Sequence, residues 1–397
     1  MGVDAAPGWQ PWRVGLFFAA YFAAAGALAA YFPLYLEHRG LSAAQIGIVM
    51  AVAQGMRIFG PTAWGWLADH TTERVRILQF TSVATAICFV PVLFPGGFGY
   101  LLLTMFAVHF FMTGQVPIAE AMAATRLRGD PQAAARYGRL RAWGSISFVV
   151  VVLATGVLLD WAGVGLQPWL VLALLAGTAA AAQLVRDAPH TPHGAAAVSV
   201  RALAAEPRVR WFFLSVLLMI FAHGALYTYF SLHLAALGYS KSAIGVFWVL
   251  GVIVEIGFFF VQGRVFSRFD PFALLAASFA LAALRFALIA EFADVIVLLI
   301  VAQALHAATF AVHHSASILT IQRWFHGSAT ARGQALYVSV GYGVGGTAGS
   351  LLAAWLWSQY GASAAFLSSS AAALAGWLAV RRARRLDAAH RAREAAA

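Results

Sequence analysis

Charge is what this sequence has least of. Only 10% of its 397 residues are Asp, Glu, Lys or Arg, where a soluble domain carries roughly a quarter. So few charged side chains cannot cover a water-exposed surface. Cysteine is scarcer still. Cys88 stands alone, which excludes an internal disulfide and a cysteine-based zinc cluster. No metal-ligand spacing, nucleophile elbow or nucleotide loop occurs, so neither an enzyme nor an ATP-driven pump is expected. The glycine-rich GYGVGGTAG at 341–349 lacks the Gly-Lys-Ser/Thr ending of a phosphate loop. It reads as a surface for close helix packing and rocking. The N-terminal MGVDAAPGWQPWR has neither the basic start and cleavage site of a leader nor a myristoylation pattern. The longest stretch of low hydropathy, about 187–208, is too short for a soluble sensor or receptor domain.

What is abundant is apolar surface, 62% of the chain. A membrane helix takes ~20 mostly apolar residues, and twelve segments qualify: 12–36, 43–68, 75–95, 98–125, 138–160, 166–186, 209–234, 242–262, 272–290, 294–321, 334–357 and 361–380. The expected fold is therefore all-α and integral to the membrane. Pro189, Pro192, Gly194 and Pro207 punctuate the segment between the sixth and seventh helices. This divides the chain into a first six-helix lobe (1–187), a linker (188–208), a second lobe (209–385) and a tail (386–397).

The net charge of +11 raises the question of nucleic acid, and its placement answers it. With the N-terminus inside, 22 basic residues fall on inner segments and two, Arg39 and Lys241, on outer loops; Arg57 and Arg285 lie within helices. Such asymmetry places both termini in the cytoplasm. It makes the lipid bilayer, rather than nucleic acid, the partner of the basic surface, and sets the tail near anionic lipid.

The two halves also repeat. YFAAAGALAAYFPLYLEHRGLSAAQIG at 21–47 aligns without gaps on MIFAHGALYTYFSLHLAALGYSKSAIG at 219–245, with 12 of 27 positions identical at an offset of 198. Gly26, Tyr31, Phe32, Gly40, Ser42 and Gly47 all recur. Two pseudo-symmetric six-helix lobes in the same orientation are the parallel repeat of a secondary transporter, with the cavity near the midplane.

These features resemble the major facilitator superfamily. After the second helix, GWLADHTTERVR keeps that family's Gly65-x-x-x-Asp69 followed by Arg74 and Arg76, and the resemblance implies a cytoplasmic gate latch there. The second copy departs, with Gly263 kept and Ser267 at the acidic position. RYGRLRAWGSISF (136–148), AHGALYTYF (222–230), GVFWVLGVIVEIGFF (245–259), ALRFALI (283–289) and VAQALHAATFAVHHSA (301–316) are similar to the phenylpropionate permease (HcaT-like) branch, itself related to nucleoside and lactose proton symporters. The resemblance implies a proton-coupled importer of a small solute, an aromatic monocarboxylate such as 3-phenylpropionate, in the bacterial inner membrane. It implies no cofactor beyond the coupling proton and function as a single chain. A nucleoside or sugar symporter and a drug efflux antiporter of the same fold are the alternatives.

Ionisable residues inside membrane helices face an interior or a wet cavity and are usually functional. Here they are Arg57, Glu120, Glu255 and Arg285, with Arg141 near an inner end. At 1.5 Å of rise per residue, Glu255 and His306 lie at about the same depth, with Arg285 roughly 8 Å nearer the outside. Desolvation favours a neutral carboxyl and a nearby guanidinium an ionised one, so Glu255 can change protonation as a cavity changes face. Glu255, Arg285 and His306 are the expected proton-coupling group. Lactose permease likewise has an acid on helix 8, an Arg on helix 9 and a His on helix 10, but its further helix-10 acid has no counterpart between Val295 and Ile321. Arg57 falls on Glu255 at the repeat offset and is expected to face it, offering a fork to a substrate carboxylate. Glu120, Arg141, His223, Tyr227, Trp248 and Gln303 complete the expected substrate site, the Glu120–Arg141 pair serving either substrate or an inner gate. Tyr31, Phe32, Tyr229 and Phe230 are further candidates for aromatic walls; His109, His313 and His314 are expected to serve helix packing. No metal site is expected.

Overall fold

A computed structural model describes residues 10–71, 73–127, 130–186, 200–326 and 329–396. Most of the expected linker, residues 187–199, lies outside the described residues. The described elements are helical: α1 (Pro11–His38), α2 (Ala43–Gly55), α3 (Gly60–Thr71), α4 (Arg74–Phe89), α5 (Phe98–Met112), α6 (Gln115–Arg126), α7 (Ala133–Ala162), α8 (Gln167–Leu184), α9 (Val200–Ala205), α10 (Pro207–Ala222), α11 (Gly224–Ala236), α12 (Lys241–Arg268), α13 (Pro271–Phe292), α14 (Ile296–Ala304), α15 (His313–Trp324), α16 (Ala329–Leu336) and α17 (Gly346–Ala396).

Among the described residues, ten stretches are long and apolar enough to cross a bilayer, or eleven if Ala43–Ile58 and Gly60–Ala68, bent by 41°, form one span. The last, Ala329–Ala395, has 67 residues and as one helix would measure about 100 Å against a hydrocarbon core of ~30 Å. Gly361 divides it, with φ at +84°, a conformation that favours glycine. That stretch thus contains the last two expected segments. The exterior is apolar, with Phe260 85% and Trp161 84% exposed. In water this would be a large unpartnered surface; in hydrocarbon it is solvated.

Several expected helices are broken near their middles. α2 gives way to a 3₁₀ turn at Met56–Ile58, α10 and α11 meet at His223, and π-helical segments occupy Ala308–Val312 and Tyr337–Gly345. Such breaks free backbone carbonyls and re-aim side chains, and lie where backbone lines protein or a cavity rather than lipid.

Packing divides the chain into two compact units. One comprises residues 1–41, 59–194 and 240–246; the other 42–58, 195–239 and 247–397. In the first, Phe17, Phe18, Leu78, Met122 and Ala182 share a buried core. In the second, Phe212, Phe272, Phe279 and Phe286 are buried. There α17 runs on past the membrane segment, and its Asp387 is fully buried. The Asp387 carboxylate accepts from Arg208 Nη1 at 3.1 Å and Trp324 Nε1 at 3.1 Å, and pairs with Arg391 at 3.2 Å.

The sequence repeat has a structural meaning. Gly40 and Gly238 end α1 and α11 with φ of +80° and +88°. In each, the next amide reaches back five residues, Leu41 N to Leu36 O and Tyr239 N to Leu234 O, the closing bond of a Schellman stop. Ser42 and Ser240 then start the following helices, accepting from Gln45 N and Ala243 N. Tyr31 donates to Val152 O and Lys241 O at 2.8 and 3.1 Å, while Tyr229 donates to Ala43 O at 2.6 Å. Lys241 and Ala43 are themselves related by the offset of 198. A Cβ on Gly245 would collide with the Tyr31 hydroxyl, and one on Gly47 with that of Tyr229, so the same repeat preserves both partners. Asp160 accepts from Lys241 N and Ser242 N at 2.8 and 2.9 Å, capping α12.

Tyr31→Phe leaves two carbonyls without this donor and is expected to cost about 1 kcal/mol. Tyr35→Phe is expected to cost less, because Arg39 also donates to Val92 O, the acceptor of the Tyr35 hydroxyl. Thermal unfolding in matched lipid–detergent micelles reads the order; equal midpoints for the two variants would contradict it.

Candidate functional site

Arg285 on α13 is fully buried. Its Nε donates to Ala302 O at 3.0 Å, its Nη1 to Thr309 Oγ1 at 3.1 Å and to His223 Nε2 at 3.3 Å, and its Nη2 to Gln303 Oε1 at 3.3 Å. Helix breaks supply these acceptors. Ala302 lies in the last turn of α14, where carbonyls lose their i+4 amides. His223 sits at the α10–α11 junction, and Thr309 in the first π-helical segment.

Hydrogen-bond chemistry assigns the remaining atoms. His223 Nδ1 lies 2.8 Å from Met219 O; a carbonyl only accepts, so Nδ1 carries the proton and Nε2 presents its lone pair to the guanidinium. A guanidinium only donates, so Gln303 turns Oε1 toward it. This leaves Gln303 Nε2 buried without a partner, as is His306 Nδ1. Arg285 has five N–H groups and spends four, leaving one on Nη2. All four acceptors are neutral, and among the described residues no carboxylate pairs with Arg285.

His306 Nε2 lies 3.6 Å from Glu255 Oε2, with side-chain exposures of 12% and 18%. That is ion-pair distance, too long for a hydrogen bond. The His306 ring stacks on Phe310 and stands 6.2 Å, centroid to centroid, from His223. His306 and His223 thus link Glu255 to Arg285. Tyr227 and Trp248 stack at 6.4 Å and 19°, and Trp248 Nε1 donates to Ser231 Oγ at 2.9 Å. Arg57, in the Met56–Ile58 turn, is exposed and lies over the ring of Tyr342 at 5.2 Å. That aromatic face is a partner the sequence did not suggest.

In the other unit, Arg141 Nη1 pairs with Glu120 Oε1 at 3.3 Å, both side chains about one-third exposed. The Arg141 guanidinium also lies over the rings of Phe18 and Phe22. In the loop resembling a gate latch, Arg76 pairs with Glu73 at 3.1 Å, Arg74 Nη1 donates to Thr125 Oγ1, and open space surrounds Gly65. The side chain of Asp69 lies outside the described residues. His313 packs on Phe279 and His314 Nδ1 lies 3.1 Å from the Tyr337 hydroxyl.

Residues 11–368 match the family described as MFS_1 like family. The chain belongs to the major facilitator superfamily. It is therefore a secondary transporter rather than an enzyme. It is 28% identical over 331 residues, 81% of this chain and 85% of the relative, to the probable 3-phenylpropionic acid transporter of Escherichia coli (strain K12). It is 28% identical over 272 residues, 68% of each chain, to the maltose permease of Geobacillus stearothermophilus. Its fold superposes on the crystal structure of the nucleoside transporter NupG with a TM-score of 0.81 and 16% identity, covering 94% of this chain and 98% of that one.

Two parts of the transporter's site escaped the sequence. Thr309, fully buried against Arg285, reads in sequence as one more small residue of an apolar helix. Tyr342 lies in the glycine-rich run, whose Gly345 and Gly349 do approach the α10 backbone at Leu217 and Phe221, but the π-helical form of Tyr337–Gly345 that presents the tyrosine was not expected. The long 334–357 segment gave no sign of that change. The breaks at His223 and in the Met56–Ile58 turn each carry an ionisable side chain inside an apolar segment, and that was the one visible signal.

Proposed function

We propose that this transporter imports a small aromatic monocarboxylate, of the 3-phenylpropionate kind, coupled to protons and by alternating access. One observation carries the reading: a fully buried guanidinium held by four neutral acceptors, with no carboxylate partner among the described residues and an unpartnered amide N–H₂ beside it. A buried charge without a counter-ion is costly. A substrate carboxylate supplies the counter-ion and accepts from the spare Arg285 N–H and from Gln303 Nε2. Tyr227 and Trp248 offer the apolar wall for the ring, and Arg57, exposed over Tyr342, a guiding charge. The name of the Escherichia coli relative agrees.

Glu255 and His306 are the coupling pair in this reading. Protonating Glu255 removes its charge from the cluster, and releasing that proton on the other face restores it, so the electrostatics that hold the substrate follow the proton. Glu120–Arg141 and the Gly65–Arg76 loop act at the gate. The membrane is the bacterial inner membrane, and the 22-to-two division of basic residues supports cytoplasmic placement of both termini. The lobes are 1–187 and 209–385, and one chain suffices.

Uptake of labelled 3-phenylpropionate into energised vesicles tests the reading. Saturable uptake abolished by a protonophore is the expected result. Folded, inserted protein without such uptake, but active on a nucleoside or sugar, would replace the substrate class.

A further inference from the structure

The arginines around the end of α17 divide into two groups. Arg208 and Arg391 pair with the buried Asp387, Arg323 lies 3.9 Å from the same carboxylate, and Arg384 pairs with Asp270 at 3.6 Å. Arg381, Arg382 and Arg385 are exposed and have no carboxylate partner among the described residues. These three line a groove of about 590 Å³ together with Trp211, Leu214, Leu218 and Leu378.

The groove is polarised. Leu378, Arg381, Arg382 and Arg385 follow the i, i+3, i+4, i+7 spacing of one helix face, as do Trp211, Leu214 and Leu218 on α10. α10 enters its apolar stretch just after Arg210, and α17 leaves its own at Arg381. The basic rim therefore sits at the level where membrane meets water, with the apolar part below. Leu378 is 63% exposed, so the groove opens toward lipid. Arg381 also lies over the Trp377 ring at 4.4 Å, an aromatic at the same boundary.

We infer that this groove binds one anionic phospholipid. The three guanidiniums donate to the phosphodiester oxygens and balance the net negative charge, while an acyl chain lies along Trp211, Leu214, Leu218 and Leu378. A zwitterionic lipid fits less well, because among the described residues no free carboxylate stands by the arginines to receive its ammonium. The inference does not depend on the transported substrate.

Native mass spectrometry of the purified transporter, supplied with phosphatidylglycerol or phosphatidylcholine, tests it. One retained phosphatidylglycerol per chain is expected, with phosphatidylcholine retained far less. In the triple variant Arg381→Gln, Arg382→Gln, Arg385→Gln, retention should drop by about tenfold or more. A variant matched in charge, Arg264→Gln, Arg268→Gln, Arg393→Gln, should keep it. Leu214→Ser, which leaves all the arginines, should weaken retention through the acyl chain. Equal retention by the triple variant and the charge-matched variant would overturn the site. Displacement of the lipid by millimolar inorganic phosphate would reduce it to a free-anion site and overturn the lipid assignment.

Discussion

Arg285→Lys will lower the affinity for an aromatic monocarboxylate by about two orders of magnitude. A hydrogen bond to a charged group is worth about 1.5–3 kcal/mol, and each 1.4 kcal/mol is tenfold in affinity. Lysine keeps the positive charge but not the fork. It cannot span Ala302 O, Thr309, His223 and Gln303 together, so whichever acceptors hold the ammonium point it away from the substrate. Equilibrium binding of labelled 3-phenylpropionate to purified protein measures the loss, and the corresponding alcohol, which lacks the anion, serves as the reference ligand. The acid should lose its advantage over the alcohol, while thermal unfolding remains a single cooperative step. A lysine variant that binds the acid as well as the unaltered protein would remove Arg285 from the substrate site.

Glu255→Gln should leave exchange intact and abolish accumulation. One proton carried with one monocarboxylate anion moves no net charge, so the pH difference drives accumulation: each pH unit supplies about 1.4 kcal/mol, or tenfold. Glutamine keeps the shape of the side chain beside His306 but cannot exchange a proton. Vesicles preloaded with cold substrate should still exchange it, and labelled substrate should only equilibrate, with or without a protonophore. Normal accumulation by this variant would make the pair with His306, at 3.6 Å, a structural contact. His306→Gln would then be the variant expected to lose accumulation.

Much of the transporter is legible in its sequence. Apolar length gave the spans, since a helix must satisfy its own backbone across hydrocarbon. The repeat was more than a count of identities. Gly40 and Gly238 recur because a left-handed stop needs glycine, Ser42 and Ser240 because a helix start needs a side-chain acceptor, and Gly47 and Gly245 because a tyrosine hydroxyl occupies the space of a Cβ. Arg57, Glu255, Arg285 and His306 stood out as ionisable groups in apolar runs.

Partners were not legible. Arg57 and Arg285 look alike in sequence, yet one is exposed over Tyr342 and the other fully buried among neutral acceptors. Asp387 reads as one acid in a solvated basic tail, but it is fully buried against Arg208 and Trp324, 179 and 63 residues away. Tyr31 and Tyr229 read as helix-packing aromatics or as candidates for aromatic walls, and their hydroxyls are spent on helix-start carbonyls. Local chemistry determined the helices, their stops and starts, and which side chains were costly to bury. Tertiary structure decided where each helix breaks and which distant acceptors meet each charge, because a charge in a low-dielectric interior is governed by its few nearest neighbours, and those come from segments far apart in the chain.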